Sequence, residues 1–157
     1  MVIGLYIGAV CLLGIGIFSL QPILFPTFRE SVQFNWNIDL PKPYKELIIA
    51  SNAGGFPMNG ETYVVIDYHN SDDIDKIGSC IEWQDKNECI IAKAEKFIVE
   101  LEMSLEADNR SKEKIKSNIP NLNSDFKYYY KTKEDFSSIL FIFKPKEKRI
   151  YIMQSIF

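Results

Sequence analysis

The first 28 residues contain no Lys, Arg, Asp or Glu, so all 39 charged residues of the 157-residue chain lie from Arg29 onward. Histidine is as scarce: His69 is the only one, and any Ser-His-Asp or Cys-His system would have to use it. No G-x-S-x-G elbow accompanies it. Three cysteines, Cys11, Cys80 and Cys89, are too few for a disulfide-stapled scaffold. A zinc centre needs three or four ligands, only Cys80 and Cys89 stand ready to join His69, and their spacing is not that of a zinc knuckle. Gly54-Gly55 lacks the Gly-Lys-Ser/Thr ending of a phosphate loop. Asp72-Asp73-Ile74-Asp75 lacks the alternating oxygens of a calcium loop. Among 21 acids no pair is singled out for hydrolysis. Basic charge is short as well, since a net charge of −3 and a pI near 5.3 argue against nucleic acid as a partner. Neither a catalytic residue nor a metal or cofactor is assigned.

What is present divides into two phases. Val2 to Leu20 is a run of 19 residues with only Ser19 clearly polar. About 20 apolar residues are what a helix needs to cross hydrocarbon. Pro22 and Pro26 follow, then Arg29 and Glu30 as the first charges, which fits a helix stopping at the headgroups. A cleaved signal would show a positive n-region, a shorter apolar stretch and a small-x-small site, none of which is clear. A lipoprotein reading fails at Cys11, which follows Val10 and has many apolar residues still to come. Residues 1–28 are therefore expected to be a single-pass transmembrane anchor. Arg29, Lys42 and Lys45 after the span bias the domain toward the cytoplasm by the positive-inside rule.

Residues 29–43 read as a linker. Val32, Phe34, Trp36 and Ile38 alternate with polar residues, which is the period of a half-buried strand or of an amphipathic connector at the membrane surface. Pro41 and Pro43 then break any regular element. In residues 44–157, roughly 30% charge density returns and one folded domain is expected. Strands are expected at Lys45 to Ser51, Thr62 to His69, Phe126 to Thr132, Ser138 to Lys144 and Arg149 to Gln154. Ser71 to Gly78 has a cap residue, acids in its first turn and a terminating glycine, so it reads as a short helix. Ile90, Ala94, Phe97, Ile98, Leu101 and Leu105 recur at spacings of three and four, which predicts a long amphipathic helix from near Glu88 to near Ala107. Ser111 to Asn118 is a further short helix, ended by Pro120. The fold class is therefore α+β: an antiparallel sheet of about five strands with one long amphipathic helix packed on one face, preceded by a single transmembrane helix.

The hydrophobic span, the Leu40-Pro41-Lys42-Pro43-Tyr44-Lys45-Glu46 segment, the glycine loop ending Asn59-Gly60-Glu61-Thr62-Tyr63, Asp72-Asp73-Ile74 and the Tyr128-Tyr129-Tyr130 and Ile139 to Phe143 strands together resemble small membrane-anchored proteins of Gram-positive bacteria whose function is undefined. The resemblance covers most of residues 40 to 157 and brings no catalytic residues. It implies a domain outside the cytoplasm, although this chain lacks the basic residues that usually precede the span.

Two functions are compatible with this reading. One is a membrane-anchored, non-enzymatic domain that binds a protein partner. The other is an envelope hydrolase using His69 or acids near the 54–60 loop. The binding candidates are Gly54, Gly55, Asn59 and Gly60 in the loop, His69 at a strand end, and Lys127, Tyr129 and Lys131 on a tyrosine-rich strand able to stack on and neutralise a polyanion. If the domain is outside, Cys80 and Cys89 can close a short loop, stabilising it by ~2 to 3 kcal/mol. The bond requires Cα atoms within about 7 Å, which a turn between Glu82 and Asn87 allows and an extended segment does not.

Overall fold

The computed structural model describes residues 27–53, 59–105 and 109–157. The expected membrane span therefore lies outside the described residues, as do Gly54 and Gly55. Among the described residues no helix is long and apolar enough to cross a membrane. The chain divides between Leu40 and Pro41 into two units.

In the first unit the alternation over 31–38 is not a strand. Phe28–Trp36 is helix α1. Its start is a capping box: the Thr27 hydroxyl accepts from the Glu30 N–H, and Glu30 Oε2 accepts from the Thr27 N–H at 2.7 Å. Its end is Asn37 in the left-handed conformation, φ 56°, donating its N–H to the Gln33 carbonyl. Phe28, Val32 and Trp36 recur every fourth residue and are buried, whereas Phe34 is 84% exposed. One of the four residues in the apparent period-2 pattern is thus a solvent-facing phenylalanine. Arg29 binds back to the Asp39 carboxylate at 2.8 Å and to the Leu40 carbonyl.

In the second unit the strands are β1 (Lys45–Ser51), β2 (Gly60–Asp67), β3 (Gln84–Asp85), β4 (Lys127–Thr132), β5 (Ser138–Lys144) and β6 (Arg149–Ile156). The helices are α2 (Ser71–Cys80), α3 (Glu88–Ser104) and α4 (Asn109–Lys116). All six strands form one antiparallel sheet in the order β1-β2-β6-β5-β4-β3. The α+β class holds, with a sixth strand, the two-residue β3, that no hydrophobic pattern announces.

Alternation sorts the sheet's side chains onto two faces. Tyr63, Val65, Leu140, Ile142, Tyr151 and Met153 share one face, against which α3 packs Ile90, Ala94, Ile98 and Leu101, and α4 packs Ile115. Burying each such branched side chain contributes roughly 1.5–3 kcal/mol, and the other face also buries Val64, Ile66, Ile139, Phe141, Ile150 and Ile152. The Tyr63 hydroxyl donates to the Asn118 carbonyl at 2.6 Å, and burial, with Tyr151 nearby, pushes its pKa well above the usual tyrosine range. Helices are not confined to that face. Trp83, just past α2, lies against Phe141 and Phe143 of the opposite face at ring distances of 6.4 and 5.0 Å, and its indole donates to the Ile77 carbonyl of α2 at 2.7 Å.

The helix bounds also differ in detail. Gly78 does not end α2, which continues to Cys80 and stops where Ile81 turns extended. Asn70 is the N-cap residue and makes no side-chain cap bond, while Asp72 and Asp73 do occupy the first turn. The α3 cap is well formed, with Asn87 Oδ1 accepting from the Ile90 N–H at 2.9 Å.

Candidate functional site

The structure does not gather the sequence candidates into one place. Gly60 opens β2 and His69 follows its far end, so the two are separated by the strand's length, ~23 Å at about 3.3 Å per residue. Lys127, Tyr129 and Lys131 lie on β4, three strands away across the sheet, or ~14 Å.

Gly60 is explained by the backbone. Its φ is +124°, and a Cβ there would sit 2.8 Å from both Ala53 Cα and Asn52 Oδ1. That oxygen accepts from the Glu61 N–H at 2.6 Å, and the same amide group donates to Ser104 at the end of α3 at 2.9 Å. Asn59 is exposed beside it. His69 stacks on the Tyr44 ring at 4.2 Å and 17°, and its carbonyl accepts from Lys148 Nζ at 2.9 Å. Cys80 and Cys89 are exposed and are not joined in a disulfide, and the Cys80 thiol donates to the Ile77 carbonyl at 3.4 Å. The segment between them contains β3, whose pairing to Tyr128 and Lys127 holds it extended, the geometry in which the bond is not expected. Among the described residues no group of three or more His, Cys, Asp or Glu side chains stands together to hold a metal ion.

The β4 candidates sit at the feature that distinguishes this sheet, its second edge. Lys133 donates its N–H to the Ser137 carbonyl at 2.8 Å, which fixes the phase of the β4–β5 ladder. Lys127, Tyr129 and Lys131 turn their backbone groups to β5, and Tyr128, Tyr130 and Thr132 turn theirs away. Tyr128 meets Gln84 of β3. Past that pair, no strand among the described residues lies beside Tyr130 and Thr132. The edge at β1 is treated differently: the ladder is interrupted between Ile48 and Ala50, and Lys114 of α4 donates to the Ile48 carbonyl. One edge is irregular and overlaid; the other keeps an unbroken register and, among the described residues, is unpaired past Gln84.

The surroundings of this edge are aromatic, with the cations Lys93 and Lys131 along it and the acids Glu82, Glu134 and Asp135 toward its ends. Tyr129 and Tyr130 are half-buried, Lys131 and Thr132 exposed. Tyr129 packs edge-on to Phe141 at 6.0 Å, and burial, with the charge of Glu82, raises its hydroxyl pKa. Lys93 of α3 stands over the Tyr130 ring at 4.6 Å. At the far end of β4 the turn to β5 holds Phe136 at φ 65° with its ring 81% exposed, and Phe157, 71% exposed, donates its N–H to Ser137 Oγ at 3.0 Å.

An open groove of about 690 Å³ adjoins the other end of β4, and three of its four lysines are already engaged. Lys86 donates to the Asn123 and Ser124 carbonyls, Lys127 to Asp85 at 3.2 Å, and Lys144 to Glu147 at 2.9 Å. With Asp85, Asp125 and Glu147 also lining it, the groove offers little to an anion. Lys144, buried on the helix-covered face, went unnoticed in the sequence because a lysine closing an apolar strand reads as its solvated end. Phe136 carried no signal either, since left-handed turn positions are usually glycine or asparagine.

No protein-family model, curated protein or solved structure matches the chain.

Proposed function

We propose that this is a membrane-anchored, non-enzymatic binding domain that takes a protein partner's extended segment as an added strand along the open edge of β4. The observation that carries this reading is the contrast between the two sheet edges. An unpaired row of N–H and C=O groups is a template for another strand, and proteins normally shorten, bend or cover it. Here Tyr130 and Thr132 are left with theirs outward, flanked by ring surface and by Phe136. Holding a phenylalanine in the left-handed region costs about 1–2 kcal/mol relative to ordinary backbone, a cost that an interface role for the exposed ring accounts for. The anchor rests on the 19-residue apolar run, and an extracytoplasmic domain rests on the family resemblance.

The test is site-specific photo-crosslinking in cells, with the photoreactive residue replacing Thr132 in one chain and Lys45 on the β1 edge in another. Carbonate-washed membranes should retain both chains. The Thr132 chain should yield an adduct of one discrete size and the Lys45 chain none. Adducts of the same size from both positions, or none from Thr132, would contradict the edge reading.

A further inference from the structure

The charges along β4 say what kind of segment would fit, if the edge is where binding occurs. We infer that the open edge of β4 receives an extended acidic segment, running antiparallel and placing a carboxylate side chain opposite Lys131. Because Tyr130 and Thr132 point their backbone groups outward, an antiparallel guest would exchange hydrogen bonds with those two residues. The guest residue between them would face Lys131 as a non-hydrogen-bonded pair. In such pairs the Cα atoms approach to about 4.5 Å and cross-strand side chains interact most closely. Lys131 is exposed and lies on the same face as Tyr129 and Lys127. On the other face Lys93, over the Tyr130 ring, adds a second cation within reach of the guest.

Acids flank the Lys131 position at both ends, with exposed Glu134 and Asp135 in the turn beside Phe136. Toward β3 the acids Glu82 and Asp85 appear, Asp85 bound to Lys127 at 3.2 Å and Glu82 acting on Tyr129. A carboxylate is therefore welcome opposite Lys131 and opposed nearer Trp83, which sets the register of the guest. Direction follows from β3, which already runs antiparallel to β4. A guest continuing that row would enter beside Phe136 and finish against Trp83.

A second copy of this chain is the obvious rival occupant, and the lysine spacing disfavours it. Two β4 strands paired antiparallel through their outward groups have few registers. Centred on Tyr130, the second copy's Thr132 would fall where Gln84 already pairs with Tyr128, so β3 blocks that register. Centred on Lys131, it sets Lys131 against itself, and centred on Thr132 it sets Lys131 against Lys133. Both remaining registers oppose like charges, which destabilises a strand pair and is a common device against edge-to-edge association.

The experiment uses the full chain in detergent micelles and two synthetic peptides, Thr-Val-Glu-Val-Thr-Val-Thr and the same sequence with Lys in place of Glu. Affinity is measured for each, and amide hydrogen exchange is followed at Tyr130 and Thr132. The acidic peptide should bind at least fivefold more tightly and slow exchange at both amides, and Lys131→Glu should reverse the preference. Lys131 is exposed, so the variant should fold as the parent does, and Lys131→Gln should fall between them. If both peptides protect the two amides equally and Lys131→Glu changes nothing, the acidic inference is overturned while the edge reading survives. If neither peptide protects either amide at millimolar concentration, both fail together. A chain whose Tyr130 and Thr132 amides become protected with rising protein concentration alone would show a second copy as the occupant and overturn the inference.

Discussion

Gly60→Ala is expected to cost about 3 kcal/mol of unfolding free energy. Two effects add. A φ of +124° is a region that residues with a Cβ rarely adopt, worth roughly 1–3 kcal/mol of strain. The new methyl would also stand 2.8 Å from Ala53 Cα, a backbone atom that can yield only if the chain moves. Such overpacking typically costs a further ~1–3 kcal/mol. Asn52, whose Oδ1 is equally close, would be pushed from its bonds to the Glu61 N–H and Ser104, loosening the tie between the start of β2 and the end of α3. Thermal unfolding of the purified full chain should show a Tm lower by roughly 10 °C, given the usual relation for a domain of this size. Gly78→Ala is the natural comparison, because that glycine lies inside α2 with open space around it, and alanine there should stabilise by up to about 1 kcal/mol. Equal effects from the two substitutions would show that the β2 turn is not built as described.

The second large effect is an asymmetry within one ion pair. The Lys144 side chain is 3% exposed and its ammonium bonds Glu147 Oε1 at 2.9 Å, while Glu147 itself is 45% exposed. Glu147→Ala leaves a buried ammonium without its counter-charge, which should cost about 2–3 kcal/mol, at or below the low end for fully buried pairs because one partner is partly in water. Lys144→Met removes the buried charge and keeps an apolar chain of similar length against Leu140 and Ile142, so it should stay within about 1 kcal/mol of the parent. Adding Lys144→Met to Glu147→Ala should then recover most of the loss. Urea denaturation of the three variants checks this, and equal costs for the two single substitutions would contradict a buried, carboxylate-dependent lysine.

Several elements were legible in the sequence because local chemistry brackets them. β1 and β5 run from Lys45 to Ser51 and from Ser138 to Lys144, as expected, each bounded by polar or proline-bearing turns. The buried stripe of α3 follows its spacing of three and four. α1 was hidden because Phe34, an exposed residue, completed a false alternation, although the Thr27-x-x-Glu30 capping box was there to be read. β3 was hidden for a different reason: Gln84 and Asp85 are exposed and become a strand only by pairing with Tyr128 and Lys127. The composition of the candidate site was equally legible, since Lys127, Tyr129 and Lys131 stand out as a strand of rings and cations. Its openness was not. Whether β4 is central or marginal depends on β6 lying beside β2, a long-range pairing that no local pattern encodes.

That openness is the central claim, and residue-resolved amide hydrogen exchange on the full chain without any ligand tests it most directly. The Tyr129 and Lys131 amides, bonded to β5, should exchange slowly, while those of Tyr130 and Thr132, between and beside them, should exchange as solvent-facing groups. Uniformly slow exchange across all four residues would mean that the edge is already covered, and would contradict a binding function there.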